Sequence, residues 1–450
     1  MLSNPNMKFS IGFLFLSVVI STTLISQNRD NISFLANWDG ADIPFNGSAK
    51  YNDVWGFVVD GQEYGCIGST LGTHIFSLPK DNRIDQVAYV PGKFQGSVVH
   101  RDFAFFEGYL YAVCDQGSSS LQVIDVSNLP NQFSVVLDDT THVTTAHNVT
   151  VDEIGLKLYV SGPSGSALKV FDITETPENP ELINDFNLVE YVHDVYAKDD
   201  VAYLSAGSQG LFIYNFSDPS NPLIISSIDG YPDEGYNHSG WLSPDGNYYA
   251  FADETPGKRM KIIDVSDPSD LEVVALFNSG LNINTMPHNL QWVDDKIYVS
   301  HYYDGLQIFD VSNVEKPAVC AYYDTYLEED IDGRGAWGVH VMPSGRVLIS
   351  DRQTGFYLLG DLNIPEGVEI LIYPNPATDE FTVDLSNEIF NSVRFQIHDS
   401  HGLLVKDETY LNEFCVKDYQ VNCEIFSAGM YQLTLTFDDK TVRRSKFIIR

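Results

Sequence analysis

The sequence has little positive charge. Its 26 Lys and Arg residues stand against 62 Asp and Glu residues, which gives a formal net charge of −36. Because such a field repels nucleic acids and anionic membrane surfaces, we do not expect either as a partner. The charge is spread along the chain. We interpret it mainly as a well-solvated exterior, with attraction of calcium as the alternative.

Cysteine is also scarce. Five cysteines in 450 residues do not form a disulfide scaffold. Cys66, Cys114 and Cys320 lie in apolar, strand-like runs and are expected to be small buried side chains. Cys415 and Cys423 lie close together near the C-terminus, and an export route would permit a disulfide bond between them. Whether the bond forms stays open, because nothing in the sequence fixes the required geometry.

Long apolar segments and helical periodicity are nearly absent. Beyond the N-terminus no stretch approaches the ~20 apolar residues of a membrane-spanning helix, and none keeps a 3.6-residue period. The exception is a short apolar run from Ile11 to Ile25, which follows Lys8 and ends in small and polar residues. This pattern is typical of a secretory signal peptide over 1–26. We therefore expect an exported, soluble protein with no transmembrane segment.

Familiar catalytic motifs are missing as well. The sequence has no Gly-x-Ser-x-Gly elbow, no His-Glu-x-x-His pair, no phosphate-binding Gly-Lys-Ser loop and no dinucleotide fingerprint. These absences argue against several common enzyme classes, but they do not identify a function.

The sequence does contain a repeat of roughly 45 residues. A period of this size indicates stacked supersecondary units. Each period divides into four short strands rich in Val, Ile, Tyr and Phe, separated by Gly, Pro and Asp turns. The pattern predicts an all-β fold, a seven-bladed β-propeller over 31–361. A short motif marks each of five periods. It consists of an apolar residue, Asp or Asn, a second apolar residue, and Ser or Thr. Its acidic or amide residues are Asp125, Asp172, Asn215, Asp264 and Asp310.

The last period contains only three strands before the chain changes character. Residues 31–40 resemble the fourth strands of other periods, such as 221–230. We expect residues 31–40 to complete the last blade. Joining the two ends of the ring in one sheet would remove a free sheet edge.

The part of the chain after Pro365 differs from the repeats. Its alternating strands with Gly, Asn and Asp turns suit a small Ig-like β-sandwich over 365–450. Its motifs are, in order, Tyr373-Pro374-Asn375-Pro376, a turn at 398–402, and Gly429-Met430-Tyr431 before a basic last strand.

These motifs together resemble the type A C-terminal sorting domain of the type IX secretion system of Bacteroidetes. The resemblance implies contact with the secretion machinery and its sorting protease, and removal of the domain. It also implies that the mature protein is secreted or attached to the outer-membrane surface. An ordinary accessory Ig-like domain is the alternative.

The repeats have a family resemblance of their own. The segments YNDVWGF at 51–57, YVHDVY at 191–196 and YYDGLQIFDVS at 302–312 resemble the LVIVD-repeat, choice-of-anchor B surface proteins. This resemblance covers roughly 31–361. It implies a fold and a location, but no particular activity.

The periods can be aligned on their second strands. In this alignment, the first strand of each of periods two to six begins with a histidine. Periods one and seven have a tryptophan at that position. First strands line the central channel of a propeller, so these side chains and their polar neighbours should meet at one mouth. Imidazoles beside carboxylates suit a divalent metal ion or another ligand. The candidate residues are His100, Asp102, His147, His193, Asp194, His238, His288, Trp55 and Trp337.

Three interpretations of this histidine column stay open. A residue repeated in every period suits a repeated structural need, such as hydrogen bonding between neighbouring blades, and we favour this interpretation. Binding of a metal or ligand is the second, and catalysis is the third.

Two loops depart from the repeat, Asp253-Glu254 and Tyr302-Tyr303-Asp304. We interpret them mainly as solvated loops, since loops collect polar residues. Asp330 and Asp332 form a fragment of a calcium-binding loop that lacks the remaining ligand positions.

These observations favour a secreted or cell-surface propeller that binds a glycan, peptide or protein ligand. A metal-dependent enzyme built on the histidines is the alternative. A purely structural envelope component is the third possibility.

Overall fold

The computed structural model describes residues 29–282, 284–327, 333–362, 371–385, 390, 392–400, 402–411, 418–438 and 441–450. Every regular element in these residues is a β-strand, which confirms the predicted all-β class. No helix in this part of the chain is long and apolar enough to span a membrane. The predicted signal peptide, Asp330, Asp332 and Cys415 lie outside the described residues.

Most strands belong to seven antiparallel sheets that follow one another along the chain. Two strands precede the first sheet, β1 (Arg29–Asp30) and β2 (Ile32–Trp38). The first sheet contains β3 (Tyr51–Val59), β4 (Gln62–Ser69), β5 (Gly72–Ser77) and β6 (Asp85–Pro91). The second contains β7 (Arg101–Phe106), β8 (Tyr109–Cys114), β9 (Leu121–Asp125) and β10 (Ser134–Asp139). The third contains β11 (Asn148–Asp152), β12 (Lys157–Ser161), β13 (Leu168–Asp172) and β14 (Glu181–Phe186).

The remaining four sheets repeat this order of strands. The fourth contains β15 (Asp194–Lys198), β16 (Val201–Ser205), β17 (Leu211–Asn215) and β18 (Leu223–Ile228). The fifth contains β19 (Asn237–Leu242), β20 (Tyr248–Asp253), β21 (Met260–Asp264) and β22 (Glu272–Phe277). The sixth contains β23 (Leu290–Val293), β24 (Lys296–Ser300), β25 (Leu306–Asp310) and β26 (Ala318–Tyr323), with β1 added beside β26. The seventh contains β27 (Ala336–Val341), β28 (Val347–Asp351) and β29 (Gly355–Leu362).

The marker residue of the repeat ends the third strand of its sheet. The Asp125 carboxylate accepts a hydrogen bond from the backbone N–H of Ser127 at 3.0 Å. The same bond recurs from Ser266 to Asp264 at 2.9 Å. Such a turn satisfies the backbone where the strand pairing stops, so Asp or Asn followed by Ser or Thr recurs for a local structural reason.

The sheets close into a β-propeller. First strands of neighbouring sheets contact each other in order around the ring, and β27 of the seventh sheet contacts β3 of the first. The seventh sheet obtains its outer strand from the beginning of the described chain, because β2 pairs antiparallel with β29, with Trp38 opposite Phe356. Side chains between adjacent sheets form the core. Tyrosines of the second strands, such as Tyr111 and Tyr159, are fully buried there.

The C-terminal part forms two further sheets around its own core. Asn375 connects its first and last segments, because its Oδ1 accepts a hydrogen bond from the N–H of Ile448 at 3.0 Å. Tyr431 stacks on Phe447, and Cys423 is a buried free thiol. One sheet contains β30 (Leu371–Tyr373), β31 (Glu380–Asp384) and β34 (Asp418–Asn422), and the other contains β32 (Ser392–Asp399), β33 (Leu404–Leu411), β35 (Gly429–Phe437) and β36 (Thr441–Ile449). The Ig-like assignment and the limits 1–26, 31–361 and 365–450 stay predictions.

Candidate functional site

Five imidazoles and one indole form a closed circle where the first strands begin. Successive ring centroids lie 4.0 to 4.3 Å apart, and the circle closes with 5.6 Å between Trp337 and His100. We call this set the histidine ring. Its members are, in order, His100, His147, His193, His238, His288 and Trp337.

Backbone pairing holds these side chains in place. The N–H of His193 donates to the carbonyl of Ser205 at 2.8 Å, and the N–H of His288 donates to that of Ser300 at 2.9 Å. Each of these bonds extends the pairing of a first strand with a second strand by one residue. Because the same register recurs from sheet to sheet, the imidazoles lie at one level of the propeller.

Only part of the ring is used for hydrogen bonding between blades. Nδ1 of His288 donates to the carbonyl oxygen of Trp337 at 2.8 Å, and Nδ1 of His147 lies 3.2 Å from a carboxylate oxygen of Asp115. In contrast, both nitrogens of His100 and Nδ1 of His193 and His238 are buried without a partner among the described residues. The structural interpretation therefore accounts for some of the ring, but not for all of it.

Four of the ring histidines have lowered pKa values, which favours their neutral form. Burial lowers the pKa of His238 to about 4. Burial, and then repulsion from neighbouring imidazoles, also lowers the pKa values of His193 and His288. Burial and the adjacent His100 lower the pKa of His147. Neutral imidazoles carry a free lone pair, which is the form that binds metal ions.

Among the residues that the structure describes, two sets of three side chains bring possible metal ligands within 4.8 Å of one another. One set is His147, His193 and His238. The other is His238, Glu254 and His288, in which His238 Nε2 lies 3.5 Å from Glu254 Oε2 and His288 Nε2 lies 3.9 Å from Glu254 Oε1. The hydroxyl of Tyr302 donates a hydrogen bond to Glu254.

A second layer of polar side chains follows directly after the histidines. Asn148 Nδ2 donates to Asp102 at 3.1 Å, and Asn289 Nδ2 donates to Asp53 at 3.1 Å. Burial, and then the charge of Asp102, raises the pKa values of Asp53 and Asp194 well above the usual range. We call this set the carboxyl layer. Its members are Asp53, Asp102, Asn148, Asp194, Ser239 and Asn289.

Beyond the carboxyl layer lies an axial cavity of about 450 Å³. Aromatic side chains form much of its wall, with Trp55 4.6 Å from His340 and Tyr196 4.9 Å from Trp241 between ring centroids. Its lining ends at exposed residues at the ends of first strands and in the turns that follow them, including Lys198 at the end of β15. None of the five ring histidines lines it. The axis therefore carries two different environments, one on each side of the carboxyl layer.

The structure corrects the predicted position of Trp55. Trp337 belongs to the histidine ring, whereas Trp55 packs against His340 and lines the cavity. In the first sheet, Asn52 takes the position that a ring histidine takes in other sheets, and Asp53 follows it. The sequence indicates this equivalence, because Asn-Asp-Val at 52–54 parallels His-Asp-Val at 193–195.

The interpretation of two loops as solvated is also wrong. Asp253 is fully buried, and Tyr302, Tyr303 and Asp304 are buried as well. Glu254 is half-buried and faces the histidine ring. In these loops Tyr302 and Glu254 are hydrogen-bonded to each other beside the histidine ring.

Comparison with known proteins assigns two parts of the chain. Residues 191–230 and 241–279 match the LVIVD repeat, and residues 371–450 match the secretion system C-terminal sorting domain. The chain carries LVIVD repeats and a type IX sorting domain. It is accordingly secreted to the cell surface or the extracellular space and interacts with the secretion machinery. The LVIVD repeats and the sorting domain predicted from the motifs are confirmed.

Two further similarities are more distant. The chain is 27% identical over 178 residues to ulvan lyase NLR42 of Nonlabens ulvanivorans, a match that spans 38% of this chain and 28% of that enzyme. The crystal structure of RRP9 WD40 repeats aligns with a TM-score of 0.52 at 10% identity and covers 74% of this chain and 99% of that one. At this identity the second similarity supports the propeller fold alone.

Proposed function

We propose that the protein is an extracellular binding module whose ligand presents a protonated amine to the axial cavity. The amine would come from a lysine side chain of a peptide or protein, or from an amino sugar of a glycan. The observation that carries the proposal is the carboxyl layer at the closed end of an aromatic-walled cavity.

The carboxyl layer favours a cation. Asp102 is close enough to Asp53 and Asp194 for its charge to disfavour their ionisation. A bound ammonium group would relieve this repulsion and supply donors for carboxylate oxygens. The cationic side chain along the cavity lining is Lys198, which lies on the exposed rim. An anionic ligand would be repelled.

The cavity walls favour the same chemistry. Ammonium groups are attracted to the faces of Trp and Tyr within about 6 Å. Trp55, Tyr196 and Trp241 offer such faces on the way to the carboxyl layer. The cavity is large enough for one side chain or one sugar residue, since small-molecule sites begin at about 300 Å³.

Titration calorimetry tests the proposal with matched pairs of ligands. Lysine with blocked α-amino and α-carboxyl groups is compared with its Nε-acetyl form, and glucosamine is compared with N-acetylglucosamine. We expect at least one amine to bind and its neutral partner to bind at least about ten-fold more weakly, in line with loss of a charge-assisted contact. The preferred pair distinguishes a peptide from a glycan ligand.

Variants locate the binding. Asp194→Asn and Trp241→Ala should weaken binding of the amine, whereas Asp42→Asn removes one charge from an exposed position and should not. Equal binding of the charged and neutral partners, or no binding by either amine, would contradict the proposal.

A second candidate is a polysaccharide lyase, and it is favoured by the similarity to ulvan lyase NLR42. The imidazoles of the histidine ring would then be the groups available to accept a proton or hold a metal ion. Incubation with ulvan, followed by ultraviolet absorbance of the unsaturated product, tests it. The candidate requires cleavage by the wild type that is lost in a His238→Gln/His288→Gln variant.

A further inference from the structure

We propose that His238, Glu254 and His288 bind one divalent first-row transition metal ion in the histidine ring. None of the three side chains lines the axial cavity. The inference therefore goes beyond the amine-binding function and does not depend on it.

The distances suit a single ion. The Nε2 atoms of His238 and His288 lie 3.5 and 3.9 Å from the two oxygens of Glu254. Two ligands placed about 2.1 Å from one tetrahedral zinc ion are about 3.4 Å apart. The side chains would therefore need only small rotations to bind the ion together.

The hydrogen bonds around the site have the arrangement found around metal ligands. Metal-bound histidines usually donate their other ring N–H to a carbonyl or carboxylate. His288 does so through Nδ1 to the carbonyl of Trp337, which leaves the Nε2 lone pair facing Glu254. Tyr302 donates to Glu254 and fixes the orientation of that carboxylate.

A second observation points to a missing positive charge. Because Nδ1 of His288 donates to the carbonyl of Trp337, Nε2 of His288 is an acceptor, and it faces the Glu254 carboxylate, which is also an acceptor. His238 and His288 are 2% and 1% exposed. Two acceptors that face each other in a buried position are unfavourable, and a cation bound between them would satisfy both.

The ligand types select the class of metal. Imidazole nitrogens suit zinc, copper, iron and nickel, whereas calcium and magnesium prefer oxygen ligands. The set His147, His193 and His238 offers three imidazoles without a carboxylate. We assign the ion to the set with Glu254, because its negative charge offsets that of the ion.

Metal analysis of the full-length protein tests the assignment. The protein is stripped with a chelator and dialysed against Zn²⁺, Ni²⁺, Co²⁺ or Cu²⁺, and bound metal is measured by mass spectrometry. We expect about one ion per chain for at least one of the four metals. Glu254→Gln should weaken its affinity at least about ten-fold, since even partners of metal ligands contribute this much. His142→Gln removes an exposed histidine outside the ring and should change nothing.

Three results would overturn the assignment: no stoichiometric binding of any of the four metals, full affinity in Glu254→Gln, or loss of the ion in His147→Gln with retention in Glu254→Gln. The last result would place the ion at the three histidines. Tryptophan fluorescence reports whether each variant is folded. If Glu254→Gln does not fold, the visible spectrum of the wild type loaded with Co²⁺ tests the site instead. A spectrum identical to that of free aqueous Co²⁺ would contradict the site.

Discussion

Gly338 of the seventh sheet lies directly against the carboxylate of Asp53 in the first sheet. A Cβ atom on Gly338 would overlap with Asp53 Oδ1 and would also lie 2.9 Å from the backbone nitrogen of Val54. The seventh sheet therefore contributes no side chain to the carboxyl layer, because Asp53 occupies the space that such a side chain would need. The glycine is a requirement of ring closure, where the last sheet meets the first.

We predict that Gly338→Ala destabilises the propeller by about 1–3 kcal/mol, the usual cost of an extra methyl group in a tightly packed position. The measurement is the free energy of unfolding in guanidinium chloride. All five tryptophans lie in the propeller, so their fluorescence reports this unit alone. Asp53→Ala in the Gly338→Ala background should recover part of the loss. Strict additivity of the two changes would show that the contact with Asp53 is not the cause.

The sequence was sufficient to predict the propeller because each period repeats its own local chemistry. The Asp125 turn and its copies, the second-strand tyrosines and the alternating apolar residues all depend on neighbours close in the chain. The histidine ring was predictable for the same reason, since His147 and His193 occupy equivalent registers.

What the sequence could not supply are relationships between residues far apart in the chain. The contact between Gly338 and Asp53 joins opposite ends of the propeller, and the pairing of Glu254 with Tyr302 joins two sheets. Trp55 was misplaced because the Trp-Gly pair at 55–56 was matched to the Trp-Gly pair at 337–338, although Asn52-Asp53-Val54 is the segment that parallels His193-Asp194-Val195.

The carboxyl layer should make stability depend on pH. Burial raises the pKa of Asp194 above its usual value of about 4, so the folded state keeps this proton to a higher pH than the unfolded chain does. The stabilisation is therefore present below pH ~4 and is lost as pH rises towards the folded pKa. Asp194→Asn should be nearly neutral near pH 4 and stabilising by about 1–3 kcal/mol at pH 8. The amide oxygen can still accept the hydrogen bond from the N–H of Val195.

Guanidinium denaturation of wild type and Asp194→Asn at pH 4, 6 and 8 measures this difference. Asp42→Asn, at an exposed position, should show no such growth with pH. If the stability difference for Asp194→Asn were the same at pH 4 and pH 8, Asp194 would not titrate abnormally in the folded state.

The ion pair between Lys261 and Asp253 is completely buried, with 2.7 Å between Nζ and Oδ2. Tyr231 also donates to Asp253, at 2.9 Å. Lys261→Met leaves the Asp253 carboxylate without its counter-charge, and we expect a loss of about 3–5 kcal/mol. A Lys261→Met/Asp253→Leu variant should recover much of that loss, because the uncompensated charge is gone.

Unfolding midpoints of the single and double variants decide whether this pair is coupled. The exposed pair of Arg83 and Asp81 serves as the control, and Arg83→Met should leave the midpoint unchanged. A double variant that is less stable than Lys261→Met would contradict the explanation by uncompensated charge.

The C-terminal unit should be needed for export but not for folding of the propeller. Its own buried core, which includes Phe381, Phe395 and Leu433, is made from residues of the C-terminal unit alone. A chain that ends at residue 362 should therefore fold, with the tryptophan fluorescence of the full-length propeller, but should stay inside the cell. Cell fractionation and immunoblotting of the medium, the cell surface and the cell interior measure this, with Asp42→Asn as an export-competent control.

Secretion of the truncated chain at the normal level would mean that residues 371–450 do not direct export. Intracellular retention of an unfolded truncated chain would instead show that the propeller requires this unit to fold.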